Sequence, residues 1–139
     1  MIKLVIDGEP VAQGRPKFTT RGKFAKAYDP AKSRNYKKYV ALVARQQYQL
    51  KPLTGALKIS CTFYRPIQQS GSKAVKNAKL KHITRPTVKP DIDNYFKCVT
   101  DALKGICWID DNQIVDVEMH KHYDEQPRTE IEIREVKGK

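Results

Sequence analysis

The sequence predicts an α+β fold: a single domain over residues 1–139, with a mixed β-sheet of four or five strands packed with two main α-helices. Three observations predict it. Four short runs, 1–7, 56–64, 114–123 and 129–136, alternate apolar and polar residues as half-buried strands do. Two stretches, 30–50 and 93–104, repeat apolar residues at helical spacing. A chain of 139 residues that is 40% hydrophobic suits one domain with a modest core.

In chain order, Ile2, Leu4 and Ile6 share one side of the first strand, and Gly8 with Pro10 ends it. Residues 11–28 are basic, with Phe18, Phe24 and Tyr28 interleaved. Arg15, Lys17, Arg21 and Lys23 can follow a phosphate backbone while the aromatics stack on bases. The plainer alternative is a solvated hairpin whose aromatics cover the core. Asp29-Pro30 reads as a helix start, Asp as N-cap and Pro in the first turn. That helix runs to about Leu50, with Tyr36, Tyr39, Val40, Val43 and Gln47 on its stripe. In the next strand Leu57, Ile59, Cys61 and Phe63 face the core. Residues 67–89 form a basic, flexible insertion, turning at Ser70-Gly71-Ser72 and helical near 73–82. Its Lys73, Lys76, Arg85 and Lys89 are candidate DNA contacts. Residues 114–123 form a strand with Val115, Val117 and Met119 on one face. A hairpin at Gln126-Pro127 leads into the last strand, with Ile131 and Ile133 inward.

Charge narrows the function. Lys and Arg number 27 against 15 Asp and Glu, a net charge of +12. Such a balance speaks of polyanionic partners, nucleic acid before an anionic membrane surface. No apolar run is long enough to span a bilayer, and the first residues lack the apolar centre of a signal peptide. Cys61, Cys98 and Cys107 have no CxxC spacing, which fits buried thiols in a cytoplasmic protein rather than a zinc site or disulfide framework.

Against that positive body, residues 89–116 hold six aspartates. Asp91 and Asp93 sit at alternate positions, so their carboxylates share a face if both are extended. Asp93 reads as the N-cap of a helix whose stripe is Tyr95 or Phe96, Val99, Ala102 and Leu103. Lys97 and Asp101 follow it one turn apart on the exposed edge. Gly105 ends the helix, and a second pair, Asp110 and Asp111, follows Trp108. A reversing helix can bring that pair back beside the first. Converging carboxylates with few histidines suit Mg²⁺, or Mn²⁺, rather than Zn²⁺. Such an ion in a positive surface is what phosphodiester hydrolysis needs, with Lys97 stabilising the developing charge. Taken singly, each residue has a plainer role. Asp93 can be only a cap, and Lys97 with Asp101 a helix pair of ~0.3–0.5 kcal/mol. Asp110-Asp111-Asn112 can be only a polar turn, and His82, His120 and His122 surface or core residues. The conjunction favours the metal.

The run Lys89-Pro90-Asp91-Ile92-Asp93-Asn94, Lys97, Asp101-Ala102-Leu103 and Trp108-Ile109-Asp110-Asp111-Asn112-Gln113-Ile114-Val115 resembles the signature of the RusA-type Holliday-junction resolvases. The resemblance covers about a quarter of the chain closely. It implies a small, dimeric, Mg²⁺-dependent endonuclease of the kind often carried by phages and prophages. By that resemblance Asp91, Asp93 and Asp111 are metal-binding catalytic aspartates and Lys97 the catalytic lysine. Asp110 matches the neighbouring acid. The expected partners are four-way or branched DNA and a second copy of the chain. Two alternatives remain open: a nuclease for other branched DNA, and a non-catalytic nucleic-acid-binding module with a structural cation site.

Overall fold

The structure is a computed structural model and describes residues 1–19 and 26–137. Its main sheet has four strands, β1 (Ile2–Asp7), β4 (Leu57–Pro66), β5 (Ile114–Asp124) and β6 (Arg128–Glu135), in the order β1-β6-β4-β5. The β4–β5 pair is parallel and the others antiparallel, so the sheet is mixed as expected. Two short strands, β2 (Lys17–Thr19) and β3 (Lys26–Tyr28), pair separately as a hairpin. The helices are α1 (Ala31–Gln47), α2 (Lys73–Leu80) and α3 (Ile92–Leu103).

Alternation sets the layers. Ile2, Leu4 and Ile6 of β1, Leu57, Ile59, Cys61 and Phe63 of β4, and Ile131 and Ile133 of β6 are buried on one face. They form one core with Tyr36, Val40 and Ala44 of α1 and Tyr95, Cys98, Val99 and Leu103 of α3. Phe63 stacks on Tyr95 with ring centroids 5.1 Å apart. The Tyr36 hydroxyl meets Thr129 Oγ1 at 3.3 Å, which satisfies both polar groups inside the core. The opposite face of the sheet stays polar, carrying Ser60, Glu118, Glu132 and the Tyr64–His122 stack.

Three details differ from expectation. β5 and β6 are consecutive but do not form a hairpin, because β4 lies between them. β4 is the most deeply buried strand, and neighbours on both edges satisfy its backbone. α1 begins at Ala31 with Pro30 at the N-cap, so Asp29 lies just outside it. Its carboxylate still holds the first turn by accepting from Ser33 Oγ at 2.6 Å. α1 also stops at Gln47, leaving Leu50 exposed. Of the plainer alternative for the β2–β3 hairpin, neither described aromatic covers the core, since Phe18 is 68% exposed and Tyr28 44%. Phe24 lies outside the described residues.

Candidate active site

The N-terminal end of α3 is built by Asp91. Its backbone carbonyl accepts from the Asn94 and Tyr95 amides, and half-buried Ile92 packs on the core. The helix therefore starts two residues earlier than expected, and Asp91 rather than Asp93 is its N-cap. The Asp91 carboxylate makes no capping hydrogen bond, which leaves it available to a ligand. Asp93 sits exposed in the first turn, where the helix dipole favours its negative charge. Both acids line one cleft of about 500 Å³, together with Arg85, Lys89 and Lys121.

Lys121 organises that cleft, and sequence reasoning missed it. Its ammonium donates to the Val88 and Pro90 carbonyls, each at 2.9 Å. Its own carbonyl accepts from Arg85 Nε at 3.1 Å. The strand thus pins the loop that delivers Asp91. Burial and the nearby Arg65 charge push the Lys121 ammonium below its usual range, against the pull of Asp91. In the sequence Lys121 is one polar residue in an alternating strand, and nothing there marks it.

One turn beyond Asp93, Lys97 is exposed and makes no ion pair among the described residues. Asp101 does not pair with it. Asp101 meets Lys37 of α1 at 3.2 Å, and Lys37 also meets Asp29 at 2.9 Å. The helix-pairing role weighed for Lys97 is therefore not realised, and its charge is free.

The second acidic pair closes the other end of α3. Trp108 is fully buried and its indole N–H donates to Asp111 Oδ1 at 2.9 Å. Asp111 Oδ2 has no hydrogen-bond partner among the described residues. Asp110 caps a 3-10 turn, Asp111–Gln113, in a capping box with Gln113. Gln113 accepts from the Ile109 and Asp110 amides at 2.8 Å and donates to the Leu53 and Gly55 carbonyls. Gln113, a member of the signature run, thus fixes the whole turn to the core.

The expected convergence within one chain does not occur. Asp91 and Asp93 stand at the start of α3, and Asp110 and Asp111 beyond its end, so its 12 residues separate the pairs by ~18 Å. β5 is a second ruler. It begins beside Asp111 and passes the Asp91 loop at Lys121, seven residues or ~23 Å on. Among the described residues no group of three or more His, Cys, Asp or Glu could hold a metal ion. The physical reason is that Gly105 turns the chain toward Leu53 and the foot of β4, rather than back along α3. The donor chemistry still suits a hard divalent cation: Asp91 and Asp111 each offer a free carboxylate oxygen, without a thiolate beside it. His82, His120 and His122 gather around Tyr64 on the open sheet face instead.

Of the candidate DNA contacts, Arg85 and Lys89 line the acidic cleft. Arg15 and Lys17 are exposed before and within β2, and Lys73 and Lys76 lie on α2. Arg21 and Lys23 lie outside the described residues.

Residues 7–134 match the family described as Endodeoxyribonuclease RusA. The chain belongs to the RusA endodeoxyribonuclease family. It is thus a hydrolase, of the kind that includes the crossover junction endodeoxyribonucleases. Over 137 residues, 97% of this chain and 96% of the relative, it is 47% identical to an uncharacterised Bacillus subtilis (strain 168) protein, YqaN. Over 110 residues, 78% of this chain and 77% of the relative, it is 33% identical to a crossover junction endodeoxyribonuclease, rusA, of Lactococcus phage r1t.

Proposed function

We propose that this chain is a Mg²⁺-dependent endonuclease that resolves four-way DNA junctions as a homodimer, each protomer a single domain. Each cutting site joins Asp91 and Asp93 of one subunit to Asp111 of the partner subunit, with Asp110 beside it. The observation that carries this reading is the division of the acids between the two ends of α3. Neither end alone supplies a full carboxylate site, and a second chain running antiparallel supplies what each lacks. β5 is an open edge strand beside α3, and Ile109, Val115 and Val117 expose apolar surface there, at 58%, 58% and 42%. A twofold axis at such an edge is self-complementary and sets unlike ends of the two helices together. It gives two equal sites, as paired symmetric nicks in strands of opposite polarity require.

When bound, the cation supplies Lewis acidity toward the scissile phosphate. Asp91, Asp93 and Asp111 would hold it. Lys97, unpaired and one turn from Asp93, stabilises charge that develops on the phosphate in the transition state. Arg85 and Lys89 hold the backbone beside the cleft. A resolving enzyme of this kind serves DNA recombination and repair.

Incubation of the protein with a labelled four-way junction, with and without Mg²⁺, tests the reading. Paired nicks that need Mg²⁺ support it. Binding without nicks supports a non-catalytic nucleic-acid-binding module. Equal cutting of flaps, forks and junctions supports a general branched-DNA nuclease.

A further inference from the structure

Beside the acidic cleft lies a second cavity, of about 360 Å³, to which the proposed chemistry gives no task. Three cations line it: Lys32 from the start of α1, Arg65 from the end of β4, and Lys89 from the loop before Asp91. One carboxylate, Glu9, faces them. Lys89 lines both cavities, so the two are neighbours.

Arg65 is the unusual member. Its Nη1 donates to the Tyr95 hydroxyl, which locks the guanidinium against α3. Its Nε is buried without a hydrogen-bond partner, and no carboxylate pairs with it among the described residues. With Nε sealed inside the protein, a ligand in the cavity meets the remaining edge of the guanidinium, a permanent charge with no carboxylate partner among the described residues. A planar guanidinium held in a fixed orientation matches the oxygens of a phosphate. The wall made by residues 10–14 is also built to stay put. The Gln13 amide donates to the Asn94 carbonyl at 2.9 Å, tying the 10–14 segment to the first turn of α3. A Cβ at Gly14 would come within 2.9 Å of Pro30 Cγ, so the segment passes there only as glycine.

We propose that this cavity is a backbone-phosphate site, contacted chiefly by Arg65 with Lys32 and Lys89. It takes a phosphate of the cut strand next to the scissile one. The proposal rests on the nuclease reading and adds to it a place where the substrate strand is anchored.

The test uses a synthetic four-way junction carrying single methylphosphonates, one at a time, at the linkages flanking the cut. Binding is followed by anisotropy in EDTA at several salt concentrations, and cutting in Mg²⁺. For Arg65→Gln the expected results are about tenfold weaker binding, a salt slope shallower by about one, and indifference to the one methylphosphonate that weakens wild-type binding. Tyr95→Phe, which keeps the cation but frees its orientation, is expected to weaken binding less than Arg65→Gln and to keep the wild-type salt slope and the wild-type response to that methylphosphonate. Wild-type binding by Arg65→Gln, or a loss with an unchanged slope that is the same at every linkage, would overturn the site and leave Arg65 a structural brace. If Arg65→Gln does not fold, Lys32→Gln in the same series decides by the same slope and the same linkage. A wild-type protein that cuts no junction in Mg²⁺ would instead overturn the nuclease reading, an outcome the EDTA binding series keeps separate.

Discussion

At the residue scale, each chemical role can be removed by a single substitution. Asp91→Asn keeps the helix start, because Asp91 caps α3 through its backbone carbonyl. We expect it to lower junction cleavage more than ~100-fold, since loss of even an outer partner of a metal site costs 10–100-fold. Junction binding in EDTA should persist, because the change removes a negative charge facing DNA. Lys97→Ala should lower the cutting rate by roughly 10²–10³, the usual loss for one transition-state donor. Its melting temperature should stay unchanged, because the side chain is exposed and makes no ion pair among the described residues. An unaltered turnover would leave Lys97 a solvated surface charge with no catalytic part. The cysteines make the opposite case. Burial pushes the Cys61 thiol up to about 12, and Cys98 and Cys107 to about 11. All three should resist iodoacetamide at pH 8 in the folded protein and react fully in denaturant. Fast labelling under native conditions would contradict their burial.

At the element scale, Asp29 ties three segments together. It accepts from Ser33 Oγ, from Gln13 Nε2 at 2.8 Å and from Lys37 Nζ, which also reaches Asp101 on α3. Burial raises its pKa, but the hydrogen bonds from Ser33, Lys37 and Gln13 outweigh this and hold the carboxyl below its ordinary value. A depressed carboxyl stabilises the fold above its unfolded pKa, and that stability is lost as pH falls through the folded value. Asp29→Asn should therefore cost ~1 kcal/mol in urea melts at pH 7, and the gap to wild type should close as the pH falls through the lowered carboxyl value of the folded state. A gap that stays constant with pH would contradict the ionic origin. Much of the element order is legible in the sequence, because alternation and helical spacing follow directly from which side chains are buried. The β4–β5–β6 arrangement is not. Strand partners depend on which edge of β4 stays uncovered, and two adjacent alternating runs read as a hairpin whether or not they pair. The cap of α3 is misplaced by two residues for a related reason. Either aspartate could cap it, and Ile92 docking on the core decides.

For the whole molecule, a net charge of +12 surrounds a small acidic system, so affinity for junctions should fall steeply with salt. The candidate acids and Lys97 are legible as a motif, while their separation in space is not. The sequence carries the order of the acids along the chain but not the direction taken after Gly105. Lys121 and Arg65 escape for another reason, since a strand-borne cation reads as solvated until its partners are seen. The central claim is that each site is shared between two subunits, and differently tagged Asp91→Asn and Asp111→Asn chains, co-expressed and purified as the mixed dimer, test it most directly. In that dimer one site carries both changes and the other carries neither. We predict that each homodimer is inactive and that the mixed dimer nicks one strand of a four-way junction in Mg²⁺. A mixed dimer as inactive as its parents would show that each subunit holds its own complete set of acids, and would contradict the shared site.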